Sequence, residues 1–162
     1  MKVGICLIVK DENDYLDEWL NHYRKLNFDY FFIYDNNSKI PININSNDVK
    51  VIKWDNEEFR CQDKAYMDCC KQNFNMDYIA FFDTDEFYFS NSMNIKKDLE
   101  NLKLKFGDFK GFAVYWRMYG KQSPYFESRQ PIENYKQYHL NNHIKSIVSP
   151  SSVIGLSRSE EH

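Results

Sequence analysis

The chain has 162 residues, of which 43% are hydrophobic and 28% are charged. This length and composition suit one packed domain and exclude wholesale disorder. The 24 acidic residues outnumber the 21 basic ones, and no extended basic stretch occurs, so we expect no nucleic-acid partner. No apolar stretch is long enough to cross a bilayer, and no secretory signal with a cleavage site is present. The four cysteines lack the paired spacing of a zinc site, which favours reduced thiols in a cytoplasmic protein.

Apolar strands and amphipathic helices alternate along the chain. Continuous apolar runs predict buried strands, and apolar residues at helical spacing predict helices with one buried face. The predicted elements, in chain order, are a strand at 3–9, a helix from 11 to 26, a strand at 30–34, a loop at 39–48, a strand at 49–54, a helix at 62–74, a strand at 78–82, a helix at 95–106, a strand at 111–116, a loop-like segment at 121–143 and a last short strand at 145–148. This order predicts an α/β fold with a doubly wound, Rossmann-like, mostly parallel sheet flanked by helices.

Three polar clusters stand where predicted strands end. They are Lys10-Asp11-Glu12, Asp35-Asn36-Asn37-Ser38 and Asp83-Thr84-Asp85-Glu86. Because ligands bind beyond the carboxyl ends of the strands in such sheets, we expect all three clusters on one edge. Asp35 has two interpretations at this point, since it either contacts a nucleobase or only forms its own turn.

The third cluster crowds three carboxylates, those of Asp83, Asp85 and Glu86, which repel one another unless a positive charge lies among them. A divalent cation, Mg²⁺ or Mn²⁺, meets that need through oxygen ligands and also bridges phosphate oxygens. We expect Asp85 to bind the metal directly, and Asp83 to hold a ribose or a metal-bound water. An Asp-X-Asp triplet alone is a weak signal, and the alternative is a solvated acidic turn.

Five blocks of sequence, in this order, resemble the family-2-like glycosyltransferases, and most of all the subgroup that includes family 92. The blocks are CLIVKDENDYLDEWLNHY at 6–23, YFFIYDNNS at 30–38, YIAFFDTDEF at 78–87, WRMYG at 116–120 and HIKSIV at 143–148. The resemblance covers residues 3 to about 150. It implies a GT-A fold, a nucleotide-diphosphate-sugar donor such as a UDP-sugar, a saccharide or glycoconjugate acceptor, and Mn²⁺ or Mg²⁺.

The resemblance also implies roles for single residues on the donor side. The segment Lys10, Asp11 and Glu12 is expected against the base, with Asp35 on the uracil ring. Asp83 and Asp85 are expected to hold ribose and metal. Lys145 is expected near the diphosphate, with His143 as a further candidate on the metal side.

The acceptor side is less defined by the sequence. An inverting transfer needs a general base that reaches the acceptor hydroxyl. Glu127 and Glu133 lie in the expected acceptor region and are the candidates, although both also fit solvated loop residues. We expect a single domain over residues 1–156, shorter than a complete enzyme of this type, and a polar tail at 157–162.

Two other functions fit the same residues. One is a nucleotide-sugar-binding fragment without turnover, which would bind the donor but neither transfer nor hydrolyse it. The other is an Asp-X-Asp phosphatase, whose motif is locally similar to residues 82–85. In such phosphatases the motif ends the first strand, whereas here it ends the fourth, which argues against covalent aspartyl chemistry.

Overall fold

A computed structural model describes residues 1–120 and 137–155, with side chains for 1–117 and 143–155. Its strands are β1 (Val3–Val9), β2 (Tyr30–Asp35), β3 (Val49–Lys53), β4 (Tyr78–Phe81), β5 (Gly111–Gly120) and β6 (Gln137–Val148). Its helices are α1 (Asn13–Lys25), α2 (Cys61–Gln72) and α3 (Ile95–Phe106), and one 3₁₀ turn spans Pro150–Ser152. The predicted α/β class is confirmed, because strands and helices alternate as expected from the apolar pattern.

The six strands form one sheet in the order β3-β2-β1-β4-β6-β5. Strands β1 to β4 are parallel to one another where they pair, whereas β6 is antiparallel to both β4 and β5. The sheet is therefore mostly parallel on one side and antiparallel on the other. The strand order runs outward from β1 in one direction through β2 and β3, and in the other direction through β4. The point beside β1 where the order changes direction is the topological switch point, where ligands bind in sheets of this kind.

The sheet is covered on both faces. Alternate residues of β1 explain this, since Ile5 and Leu7 pack with α1 and α3 in one core cluster, while Cys6 packs with α2 in the other. The larger cluster contains the buried aromatic side chains of α1, above all Trp19 and Tyr23. All four cysteines are free, and three of them are buried, as predicted for reduced thiols.

The structure corrects the prediction for the last part of the sheet. Residues 137–143 were expected in a loop, but they belong to β6, which pairs with β5 from Gly111↔Val148 to Gly120↔Gln137. The polar composition of residues 137–143 hides the strand, because a hairpin is held by main-chain hydrogen bonds that carry no sequence signal. Among the described residues, no helix is both long and apolar enough to span a membrane.

Candidate functional site

The carboxyl ends of β1, β2 and β4 bring the three predicted polar clusters together. The main-chain N–H of Asp11 donates to the hydroxyl of Ser38 at 3.0 Å, and the N–H of Lys39 donates to the Asp11 carboxylate at 2.7 Å. The Thr84 hydroxyl donates to the carboxylate of Glu12. The first cluster therefore connects the other two, as the strand-end rule predicts.

Asp83 is the centre of this site, and both of its carboxylate oxygens have partners. The ammonium of Lys145 lies 2.7 Å from one oxygen. The other oxygen accepts from the amide of Gln62 at 3.2 Å and from the hydroxyl of Tyr66 at 3.3 Å. The main-chain carbonyl of Asp83 accepts from the indole N–H of Trp19 at 2.9 Å. Side chains from α1, α2 and β6 thus fix both the main chain and the side chain of this residue.

Glu86 closes the turn that begins at Asp83. Its carboxylate accepts the main-chain N–H of Asp83 at 2.8 Å and lies 3.1 Å from the ammonium of Lys145. Its own main-chain N–H donates to the Asp83 carbonyl at 3.1 Å, and its carbonyl accepts from the Tyr23 hydroxyl at 2.9 Å. Burial and the negative charge of Asp83 raise the pKa of Glu86 from 4.5 to about 7, although the Lys145 charge opposes this.

Lys145 reaches the carboxylates from β6, where it pairs with Val114 of β5. Its side chain is only 17% exposed, and the ammonium lies 5.3 Å from the centre of the Trp116 ring. Burial alone would lower the pKa of Lys145, but the charges of Asp83 and Glu86 outweigh it, so the pKa is raised. The lysine is therefore charged at neutral pH and contacts the strand-end carboxylates. Its expected place near a diphosphate stays a prediction.

Asp85 differs from its neighbours, because its side chain is exposed. Its carboxylate makes no hydrogen bond or ion pair with any residue that the structure describes. Within the described residues, no group of three or more His, Cys, Asp or Glu side chains is arranged to hold a metal ion. His143 accordingly does not join Asp83 and Asp85 in such a group, and its ring lies 5.2 Å from that of Trp116.

The single exposed carboxylate of Asp85 fits the expected cation if the phosphates of a ligand supply further oxygen atoms. Mg²⁺ and similar hard cations keep several waters and are often held by one or two carboxylates together with the phosphates of a substrate. Asp85 would supply one such ligand, and a diphosphate would supply others. The donor set therefore suits a cation that arrives with a phosphate ligand better than one held by the protein alone.

The Asp35 carboxylate is used by its own loop. It is 7% exposed, and it accepts the main-chain N–H groups of Ser38 and Ile42, each at 3.1 Å. Burial alone would raise the pKa of Asp35, but hydrogen bonding with the Ser38 side chain and with the main-chain N–H groups of Ile42 and Ser38 lowers it. Of the two interpretations left open by the sequence, the observed contacts match the turn. Contact with a base stays a prediction, because each carboxylate oxygen can accept a second hydrogen bond.

Sequence reasoning missed three residues that hold Asp83. Gln62 and Tyr66 lie one turn apart on α2 and hydrogen bond to each other at 2.8 Å, but their spacing alone does not say what they face. Trp19 lies at helical spacing within the helix predicted at 11–26, and that spacing indicates only a buried core residue. A buried tryptophan usually has a partner for its N–H group, and that rule would have suggested a second role.

Glu127 and Glu133 lie outside the described residues, so their assignment as candidate general bases stays a prediction. Lys10 lies in the first cluster and is exposed, next to Asp11, whose φ of 60° is in the left-handed region. A shallow cleft of about 360 Å³ lies at the opposite, amino edge of β4, beside Lys103 and Phe109. It includes none of the carboxylates discussed here, and we place the functional site by its chemistry at the carboxyl edge.

Comparison with known proteins identifies the family. The profile of glycosyltransferase family 92 matches residues 2–157. The chain belongs to glycosyltransferase family 92. The resemblance seen in the five sequence blocks is thereby confirmed. No curated protein matches the sequence at a significant level.

Solved structures of S. aureus TarS 1-349 share the fold of this family 92 chain. The crystal structure of TarS 1-349 is 15% identical, with a TM-score of 0.50. The structures in complex with UDP and with UDP-GlcNAc are 15% and 16% identical, each with a TM-score of 0.51. Each match covers 79% of this chain but only 37–39% of the TarS chain. At such identity the likeness shows the fold alone, and it agrees with the predicted GT-A-like architecture.

Proposed function

We propose that this family 92 chain binds a nucleoside-diphosphate sugar, with a UDP-sugar as the first candidate, and transfers the sugar to an acceptor hydroxyl. Membership of the family supports the reaction class. The observation that carries the proposal is the state of the strand-end carboxylates. Asp83 is held in place by side chains from α1, α2 and β6, while Asp85 is exposed and has no partner among the residues that the structure describes. Two of the fold relatives were crystallised with UDP and UDP-GlcNAc, which supports a UDP donor.

The described residues have distinct roles in this proposal. Asp85 would bind Mn²⁺ or Mg²⁺, and Asp83 would orient the ribose or a metal-bound water from its fixed position. The segment Lys10, Asp11 and Glu12 and the turn at Asp35 would border the base. When bound, the cation would act as a Lewis acid on the departing diphosphate. The acceptor hydroxyl would attack the anomeric carbon and lose its proton to a carboxylate, for which Glu127 and Glu133 remain the candidates.

The phosphatase alternative has less support from the geometry. An aspartyl nucleophile needs a free oxygen aimed at the substrate, whereas one oxygen of Asp83 faces the Lys145 ammonium and the other accepts from Gln62 and Tyr66. A binding fragment without turnover remains the rival for the whole-protein activity, because the chain spans about 39% of the length of the TarS chain that it matches. The predicted cytoplasmic location stays a prediction.

Calorimetric titration tests the donor site. UDP and UDP-GlcNAc are titrated into the protein with Mn²⁺ and, separately, with a chelator. We expect binding only with Mn²⁺, and we expect Asp85→Asn to weaken it by about tenfold or more, equal to about 1.4 kcal/mol. The matched control is Glu100→Gln, which neutralises an exposed carboxylate on α3 and should leave the affinity unchanged.

The same preparation separates the enzyme from the binding fragment. Release of UDP from UDP-GlcNAc, measured with and without a panel of saccharide acceptors, reports transfer and hydrolysis. Turnover that Asp85→Asn abolishes supports the enzyme, and donor binding without turnover supports the fragment. Absence of donor binding under both metal conditions would reject the proposed site for UDP-sugars.

A further inference from the structure

Lys145 holds two carboxylates of the site at once. Its ammonium lies 2.7 Å from the Asp83 carboxylate and 3.1 Å from that of Glu86. The Trp116 ring covers another side of the ammonium, with its centre 5.3 Å away. A lysine ammonium has three N–H groups, and two carboxylates together with an aromatic face use most of its capacity. Little of that capacity is left for a further anion while these contacts persist.

The setting makes this ion pair stronger than an ordinary surface pair. The side chains of Lys145 and Glu86 are 17% and 15% exposed, whereas that of Asp83 is 36% exposed. Charges that are mostly withdrawn from water are weakly screened by salt, and separating them leaves an uncompensated buried charge. The contacts of Asp83 with Gln62 and Tyr66 fix the geometry further. The arrangement is thus a rigid cluster assembled from several elements of the fold.

The cluster has a consequence for cation binding. Three carboxylates that follow one strand would by themselves attract a divalent cation. Here Lys145 already supplies positive charge to Asp83 and Glu86, so that only the exposed Asp85 is left without a partner among the described residues. One carboxylate is a poor site for a hard cation unless other oxygen ligands come with it.

We propose that Lys145 is a built-in counter-ion that prevents Asp83 and Glu86 from binding a divalent cation by themselves, so that the cation is taken up only together with the nucleoside diphosphate. This inference rests on the proposed function, because it assumes that the site receives a metal and a diphosphate. Lys145 is here a positioning and specificity residue. It acts through the carboxylates of Asp83 and Glu86. The diphosphate supplies the oxygen ligands in place of these two paired carboxylates.

Binding of Mn²⁺ to the free protein tests the inference. Free Mn²⁺ is followed by its electron paramagnetic resonance signal, without nucleotide, at constant pH and ionic strength. We expect wild type to bind Mn²⁺ more weakly than about 1 mM. Lys145→Met, which has an unbranched, uncharged side chain one atom shorter than that of lysine, should bind at least about tenfold more tightly, because the carboxylates regain their attraction for a cation.

Two further variants show which group is responsible. Lys145→Arg keeps the positive charge and should bind free Mn²⁺ as weakly as wild type. Adding Asp83→Asn to Lys145→Met should remove the gain, because the regained ligand is then absent. Circular dichroism and thermal unfolding establish that each variant is folded. If Lys145→Met does not fold, the wild-type titration can still refute the inference. Tight Mn²⁺ binding by wild type alone, or no gain in folded Lys145→Met, would overturn the inference.

Failure of the inference can be told apart from failure of the proposed function. Titration of UDP with Mn²⁺ into wild type tests the donor site, whereas Mn²⁺ alone tests Lys145. Wild type that binds both free Mn²⁺ and the UDP–Mn²⁺ pair tightly would refute the counter-ion role and leave the donor site standing. If Lys145 instead grips the diphosphate directly, Lys145→Met would lose UDP affinity without gaining Mn²⁺ affinity, and that result also overturns the inference.

Discussion

Glu86 should make the stability of the protein depend on pH in a defined window. Its pKa rises from 4.5 to about 7 on folding, because of burial and the Asp83 charge. Below pH 4.5 Glu86 is protonated in both states and contributes no difference. Between pH 4.5 and 7 the unfolded chain loses this proton while the folded protein keeps it, so the contribution of Glu86 to the free energy of unfolding falls as the pH rises.

The magnitude follows from the two pKa values. At about 1.4 kcal/mol for each pH unit, the rise corresponds to about 3 kcal/mol of stability lost between pH 4.5 and pH 8. Little discount for solvent is needed, because the Glu86 side chain is 15% exposed. Glu86→Gln has nearly the same shape and cannot ionise. Its stability relative to wild type should therefore increase by about 3 kcal/mol across this window.

Urea unfolding measures this difference at pH 5, 6, 7 and 8, with chelator present and with tryptophan fluorescence as the probe. His22 contributes to the pH dependence of both proteins and cancels in the comparison. Lys145 opposes the rise in the Glu86 pKa, so Lys145→Met should move the transition to higher pH. A difference between wild type and Glu86→Gln that stays constant from pH 5 to pH 8 would show that Glu86 does not titrate in this range, and would refute the reasoning.

Three further outcomes follow from single contacts. Asn94→Ala should destabilise the protein by about 1 kcal/mol in urea unfolding, because its side chain caps α3 by accepting two main-chain N–H groups, and Asn94→Ser should recover most of the loss. Burial lowers the pKa of His22, so the contribution of His22 to stability is lost as the pH falls below 6.5, and the stability of His22→Asn relative to wild type should be higher at pH 5 than at pH 7.5. Tyr66→Phe removes one hydrogen bond to Asp83 and should weaken calorimetric binding of UDP with Mn²⁺ by several-fold, about 1 kcal/mol, while an unchanged affinity would assign the hydroxyl to the fold alone.

The parallel half of the sheet could be predicted because its strands are buried on both faces. Strand β1 and strand β4 are continuous apolar runs, a pattern that few other structures produce. Strand β6 could not be predicted in full, because its first half is polar and pairs with β5 through main-chain hydrogen bonds. The pairing shifts between Tyr115 and Arg117, and such an irregularity breaks the alternation from which strands are recognised.

The meeting of the three polar clusters at one edge of the sheet could be predicted, because the topology of the sheet alone determines it. Parallel strands place whatever follows them at one edge, so the clusters after β1, β2 and β4 meet whatever their composition. Partners from other elements depend on side-chain directions, which spacing does not give. The contact of Lys145 with two carboxylates, and those of Gln62 and Tyr66 with Asp83, required the packed structure.

Trp19 links the core to the site, and this link can be tested separately from stability. Its side chain is fully buried, and its indole N–H donates to the Asp83 carbonyl at 2.9 Å. Trp19→Phe removes that bond and leaves a cavity, which should cost about 2–4 kcal/mol in urea unfolding. It should also weaken calorimetric binding of UDP with Mn²⁺, since the main chain that carries the Asp83 carboxylate loses a fixed point.

Leu20→Ala is the matched control, because Leu20 is the next residue of α1 and is 2% exposed. It should lose about 2–5 kcal/mol of stability while its affinity for UDP with Mn²⁺ stays within about twofold of wild type. Equal weakening of binding in both variants would mean that lost stability alone disturbs the site. Unchanged binding of UDP in Trp19→Phe would mean that Trp19 serves the core alone. Only a loss of UDP affinity that occurs in Trp19→Phe and not in Leu20→Ala supports the hydrogen bond to Asp83 as the link between the core and the site.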